Sequence, residues 1–386
     1  MAWSDAPTNS SNITSGACQK MRHSRTSQIQ QQRESDHNMS NSQPNQPAAT
    51  VVITARDRFS LAVRTLENVV AVTRQPYKLI YIDSGSPKPV ASELKRICEE
   101  NGFRYERYDH FLSPCQARNR GQHLADTKYV AYIENDVMAA EGWLQALVKC
   151  GDETGAEVVQ PLICQGMPLH TEIHQAGGNF AESIEGFFHG TPEQHRLLDS
   201  HLNDQGKRID EVELKRMETQ VCEVHCILVR RDTFQRFGDF DEGMPCSKDH
   251  VDFSISIWNK GGRIMFEPTA IVTFCHPDRT HPVEPMDWPL FILRWSPKWQ
   301  RKSLAHFQKK WGLEKDPYFK KYQKLTSWRY HEGVVKPLVR KVPFIGHSYK
   351  VQSLASAAML PMVSAIGTRL ARKQAAQTAD WNSHAA

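Results

Sequence analysis

The sequence predicts an α/β fold whose mostly parallel central sheet is flanked by helices. Four short β-branched or aromatic runs, Val51–Thr54, Leu79–Ile82, Phe103–Glu106 and Tyr129–Ile133, alternate with stretches of helical spacing. Alternation of this kind implies right-handed crossovers between parallel strands. Three of the runs end in polar or acidic residues, Thr54, Asp83 and the tripeptide Glu134-Asn135-Asp136, which the crossovers bring to one sheet edge.

The elements follow in order. After Val51–Thr54, Ser60 is the expected cap of a helix whose apolar positions Leu66, Val69 and Val70 stop at Gln75-Pro76. Leu79–Ile82 runs into Asp83-Ser84-Gly85-Ser86, and Lys88–Glu100 reads as a helix closed by Asn101-Gly102. Ser113-Pro114 opens a helix carrying Ala117-Arg118-Asn119, which leads to the Tyr129 strand. Trp143–Cys150 reads as helix and Val158–Ile163 as strand, and residues 170–215 as an acceptor-side insertion of mixed structure. Regular structure resumes over Val221–Val229, and a turn spans residues 237–242. A helix from near Lys248 places Asp249 and Asp252 on the same side of its first turn, and two short strands, Arg263–Phe266 and Ala270–Phe274, deliver Cys275-His276.

Composition bounds the function. The formal charge of +5 over 386 residues does not suit a dedicated nucleic-acid binder, so no nucleic-acid partner is expected. Nine cysteines without regular paired spacing suit free thiols in a reducing compartment, so the expected location is cytoplasmic. No uninterrupted apolar run reaches the roughly 20 residues that span a bilayer. Residues 1–48, rich in Ser, Asn, Gln and Thr, are expected to form a disordered polar tail. Residues 281–386 read as a tryptophan-rich, basic, mainly helical extension. Within it Val351, Leu354, Ala358, Met362, Ile366 and Leu370 form a stripe flanked by Lys350, Arg369, Arg372 and Lys373. Pro361 interrupts this stripe, which suits either peripheral contact with the inner membrane face or docking onto the protein itself.

Glu134-Asn135-Asp136 could hold a divalent cation beside a phosphate, although the same residue types favour a solvated turn. Taken together, the motifs over about residues 50–280 resemble the GT-A fold, Rossmann-like, of family 2 glycosyltransferases. Val51–Arg58 is similar to that family's opening strand and loop, Tyr81–Ser86 to its second, and Ala117-Arg118-Asn119 to the helix before its metal motif. Glu134-Asn135-Asp136 stands where the family has Asp-x-Asp, and Asp249-His250-Val251-Asp252 where it usually shows Glu-Asp-Val-Asp.

The resemblance implies inverting transfer of a sugar from a nucleotide-diphosphate donor to a hydroxyl of a saccharide or lipid-linked acceptor, assisted by Mn2+ or Mg2+. Asp136 and His276 are then the metal ligands, with Glu134 turned toward the ribose or a metal-bound water. Asp83 receives the nucleobase, and Thr54, Arg56, Arg58, Arg118 and Asn135 line the nucleotide path. Asp249 is the favoured base and His250 the other candidate, because His250 stands where the family commonly has its catalytic acid; Asp252 stabilises the helix or binds acceptor. That departure keeps a second reading open, a nucleotide-sugar-binding protein without turnover. A zinc protein using Cys222, His225, Cys226, Cys246, His250, Cys275 and His276 matches no compact zinc spacing. A dinucleotide oxidoreductase lacks its glycine-rich loop after the first strand.

Overall fold

The computed structural model describes residues 46–180, 200–277, 281–313 and 318–384. The expected polar tail lies outside them except for its last residues, as does part of the expected insertion.

Strands β1 (Ala49–Thr54), β2 (Lys78–Ser84), β3 (Arg104–Tyr108) and β4 (Tyr129–Glu134) form a parallel half-sheet in the order β3-β2-β1-β4. Helices α1 (Ala62–Val72), α2 (Lys88–Glu100) and α3 (Pro114–Leu124) make the crossovers. Burial on both faces explains the continuous apolar runs: Val51, Ile53, Ala131 and Ile133 pack with α1 and α2, whereas Val52, Val130 and Tyr132 pack with α3. A Cβ on Gly121 of α3 would meet Val52 Cγ1 at 2.2 Å, so only glycine lets this helix lie so close to β1. Ser113 caps α3 in a reciprocal capping box with Gln116, with Pro114 in the first turn as expected.

The expectation for α1 needs correction. The helix begins at Ala62 without a side-chain cap, and the Ser60 hydroxyl donates instead to Asp287 Oδ2 at 2.8 Å.

Beyond β4 the sheet becomes mixed. After β5 (Val137–Ala139) and α4 (Trp143–Thr154) come β6 (Val158–Gln165), β7 (Glu172–Gln175), β8 (Gly178–Phe180), β9 (Ser200–Leu202), β10 (Met217–Thr219) and β11 (Cys226–Arg230). Strand β11 lies antiparallel between β4 and β6, so the expected regular stretch from Val221 is loop until Cys226. Two short helices' worth of chain, α5 (Asp232–Phe237) and α6 (Asp249–Asn259), then lead to β12 (Ile264–Phe274), parallel to β6. The two strands expected here are one. Its register shifts between Glu267 and Ile271, opposite Pro161, where both chains carry a proline that cannot donate to the ladder.

The C-terminal region is helical: α7 (Trp288–Arg294), α8 (Pro297–Trp311), α9 (Tyr318–Tyr330), α10 (Lys336–Val339) and α11 (Tyr349–His384). Trp295, Trp299, Phe291, Tyr330, Val363 and Ala371 form its core, so these two tryptophans pack rather than present a binding surface. Pro361 does not break α11. It and Ala357, whose carbonyl loses its donor, both face solvent.

Candidate active site

The carboxyl ends of β1 and β4 meet in register, Thr54 opposite Glu134, and this is where the charged residues gather. Asn135 fixes the local backbone. Its N–H donates to the Thr54 carbonyl at 2.9 Å, its side-chain amide donates to the Arg58 carbonyl at 2.8 Å, and its Oδ1 accepts from the Arg56 N–H at 3.4 Å. The residue expected on the nucleotide path is thus spent on holding the loop after β1, and Thr54 is buried at the head of that loop.

Asp136 is fully buried. Arg58 Nε donates to its Oδ2 at 3.3 Å, and its Oδ1 has no partner. Burial pushes this carboxyl up to about 7 against the pull of Arg58. At the end of β12 the Cys275 N–H donates to the Asp136 carbonyl at 2.9 Å, and His276 follows one residue further along the chain. Burial, with Arg329 and Arg56 nearby, lowers His276 to about 4, so its imidazole is neutral and keeps a lone pair. An orphaned carboxylate oxygen suits a divalent cation that takes its remaining ligands from phosphate and water, and a neutral imidazole is a suitable further ligand. Among the described residues no three His, Cys, Asp or Glu side chains are grouped to hold a metal by themselves.

Glu134, the last residue of β4, begins a closed circuit of ionisable groups. Its Oε1 accepts from Arg118 Nη2 at 2.9 Å, and Arg118 Nη1 donates to Asp249 Oδ2 at 2.9 Å. Asp249 Oδ1 stands 3.7 Å from His250 Nδ1, and His250 Nε2 stands 3.4 Å from Glu223 Oε1. Glu223 Oε2 is 4.0 Å from His225 Nε2, and His225 Nδ1 closes the circuit on Glu134 Oε2 at 2.6 Å. Arg56 reaches Glu134 at 3.6 Å while its guanidinium lies over the Phe274 ring.

The electrostatics separate the members. Burial raises Glu134 despite Arg56 and Arg118. Burial would raise Asp249 too, but His250, Arg118 and Arg294 outweigh it and hold that carboxyl far below its ordinary range. Burial opposes a charge on His250, yet Glu223 and Asp249 raise it. His250 keeps 23% of its side chain exposed, against 6% for Asp249, so within this pair it is the group an acceptor can reach.

Asp83 is placed at the end of β2 as expected, but its oxygens are already engaged. They accept from Ser86 N at 3.1 Å, Ser86 Oγ at 2.8 Å, Tyr105 Oη at 2.5 Å and Arg107 Nη1 at 2.5 Å. Asp249 and Asp252, expected on one side of α6, turn to different partners. Asp252 binds Lys310 Nζ and Trp311 Nε1, each at 2.8 Å, and so ties α6 to α8.

The reading of the sequence missed Glu223 altogether and treated His225 only as a zinc ligand. Their close spacing in Cys222-Glu223-Val224-His225-Cys226, in the turn that enters β11, was the available signal. It also missed Asp287, whose carboxylate accepts from the Phe59 and Ser60 N–H groups at 2.7 and 2.9 Å. With Trp295 Nε1 donating to Asp57 and Arg58 donating to the His281 carbonyl, Asp287 latches the C-terminal helices onto the loop after β1.

The family model for glycosyl transferase family 2 matches residues 50–238. A pre-mycofactocin glycosyltransferase of Mycobacterium tuberculosis is 26% identical over 235 residues, 60% of this chain and 44% of that protein. A putative polypeptide N-acetylgalactosaminyltransferase 13 of Drosophila melanogaster is 24% identical over 223 residues, 55% of this chain and 38% of that protein. The chain therefore spans less than half the length of these curated relatives. A crystal structure of GalNAc-T7 with UDP, GalNAc and Mn2+ aligns with a TM-score of 0.47 at 17% identity, covering 78% of this chain and 59% of that one. Over residues 50–238, just under half of its length, the chain is similar to glycosyl transferase family 2.

Proposed function

We propose that the protein transfers a sugar, with inversion, from a nucleotide-diphosphate sugar to a hydroxyl of a saccharide or lipid-linked acceptor. The observation that carries this reading is the unpartnered, buried Oδ1 of Asp136 at the strand edge. Mn2+ or Mg2+ held by Asp136 and His276 would offset the charge developing on a departing nucleoside diphosphate. Arg58 and Arg56 supply fixed positive charge on the same loop, suited to phosphate oxygens. Asp83 and Asn135 then act by holding the nucleotide-side loops in place, and Glu134 by anchoring Arg118.

For the base, the geometry favours His250 over Asp249. A carboxylate gripped by Arg118 is a weak proton acceptor. An imidazole facing Asp249 and Glu223 receives the acceptor's proton as a stabilised imidazolium, the logic by which a carboxylate supports a catalytic histidine. Asp249 and Glu223 are positioning residues in this scheme. A cytoplasmic location, with the acceptor reached at the inner membrane face, belongs to the same proposal.

Turnover of UDP- and GDP-sugars by the wild type and by His250→Ala tests it, with product anomers read by NMR. The reading expects turnover with inverted product in the wild type and lost turnover with retained donor binding in the variant. A second reading, donor binding without turnover, is favoured by the full engagement of Asp249; it is supported if the wild type binds a donor and leaves it intact with every acceptor tried.

A further inference from the structure

Among the described residues, the exposed apolar surface is concentrated in one place, and the donor site makes no use of it. Seven of the eleven large hydrophobic residues that are exposed among the described residues fall between Val342 and Ile366. They form two continuous parts. The turn before α11 presents Phe344, whose relative exposure is 103% at a φ of 64°, with Ile345 beside it and Tyr349 82% exposed at the start of the helix. A bulky residue in the left-handed region is held there by its surroundings, because such a conformation is unfavourable for it. From the turn, Leu354, Met362 and Ile366 continue along the outer face of α11 at helical spacing.

The opposite face of the helix is committed. Val363, Gly367 and Ala371 face the protein, and a Cβ on Gly367 would meet Tyr330 Oη at 2.6 Å and the Ile292 carbonyl at 2.9 Å. Gln352 Nε2 donates to the Gly346 carbonyl at 2.8 Å, fixing the turn to the helix. The apolar stripe is therefore presented outward by a helix that is itself seated.

Charge selects the occupant. From Gly333 to Ala379 the sequence contains seven lysines and arginines and not one aspartate or glutamate. Arg340, Lys341 and Lys350 flank the Phe344 turn, and Arg369, Arg372 and Lys373 flank the far end of the stripe. A second copy would bring a like-charged face against this one, whereas an anionic lipid surface takes in the apolar side chains and neutralises both basic ends.

We propose that the Phe344 turn and the outer face of α11 insert side-on into the interface of an anionic bilayer, with Phe344 and Ile345 as the wedge. By length and composition residues 349–379 could also cross a membrane, with 17% of the most apolar window buried in the protein. A crossing would pull Val363, Gly367 and Ala371 from their seat on the protein, so the helix lies on the membrane rather than through it. The proposal is independent of the donor site: nucleotide binding by the same preparation reports on the one, and lipid binding on the other.

The test is co-sedimentation of the full chain with phosphatidylcholine vesicles and with vesicles containing phosphatidylglycerol, at low and high salt. The expected result is binding only to the anionic vesicles, released by salt. Phe344→Ser with Ile345→Ser should weaken it roughly tenfold, given the transfer free energy of two exposed apolar side chains. Both positions are exposed, so the variant keeps its fold, read by an unchanged melting temperature. Failure to bind anionic vesicles would overturn the proposal, as would binding that the double variant leaves unchanged. Retention through an alkaline carbonate wash would replace it with a spanning helix, and a dimer in solution dispersed by the same substitutions would replace it with a second copy.

Discussion

Asp136 and Asp249 are both buried acids beside an arginine, and they stand in opposite states. Asp136 meets Arg58 through one oxygen at 3.3 Å and leaves the other without a partner, so burial dominates and raises it to about 7. Asp249 meets Arg118 at 2.9 Å and faces His250 with its other oxygen, so its neighbours outweigh the same burial and lower it. Low-dielectric surroundings set both shifts, and the completeness of pairing sets their direction. A carboxylate left incomplete is available to a ligand; one that is complete serves the structure around it.

Five substitutions sharpen or break this comparison. Removing Arg118 should have the largest effect, because it strands both Glu134 and Asp249 as buried charges. Arg118→Ala is expected to lose roughly 3–5 kcal/mol of stability, measured by chemical denaturation. A loss under 1 kcal/mol would show that the circuit through Arg118 does not hold the site.

His250→Ala should lower kcat by about 10²–10⁴-fold with little change in donor affinity. In the wild type, kcat should rise with pH through the raised pKa of His250, because the base works unprotonated. A Glu223→Gln variant removes one of the two carboxylates that raise it, so that limb should move to lower pH. A limb that stays in place would return the base to Asp249.

Asp287→Ala leaves the Phe59 and Ser60 donors without their shared acceptor and should cost about 2–3 kcal/mol. It should also weaken donor binding, since the loop it holds carries Arg56 and Arg58. Unimpaired donor binding would show that the latch is purely structural.

The smallest effect is a stabilisation. The folded-state pKa of Asp136 is raised, so the carboxyl favours the folded state below its unfolded pKa of 3.8 and loses that advantage as pH rises through about 7. Asp136→Asn cannot ionise, and it should be more stable than the wild type at pH 8 by about 1 kcal/mol. The difference should shrink as pH falls below 7 and vanish only toward pH 4. An Asn variant that is less stable at both pH values would mean that Asp136 is already compensated.

The parallel half of the sheet was readable because its inner strands β1, β2 and β4 are apolar on both faces and each crossover helix carries its own stop or cap. Lys88–Glu100 was placed to the residue, and Ser113-Pro114 opened α3 as expected. What escaped is non-local. Ser60 has the chemistry of a cap, and nothing nearby in sequence shows that its partner is Asp287, 227 residues away. Arg263–Phe266 and Ala270–Phe274 read as two strands, yet a register shift opposite Pro161 keeps them in one. At the site, the acids at strand ends were legible as a group. Their division into one incomplete carboxylate and one complete one depends on Arg58 and Arg118 reaching across the fold, which no local pattern encodes.

The central claim is that Asp136 is the incomplete carboxylate that makes a metal and nucleotide site. Calorimetric titration of UDP and GDP into the wild type and Asp136→Ala, with and without Mn2+, tests it most directly. The account predicts manganese-dependent binding of a diphosphate by the wild type that disappears in Asp136→Ala, in a variant that remains folded. Binding of equal strength in Asp136→Ala, or no binding of either diphosphate by the wild type, would contradict it.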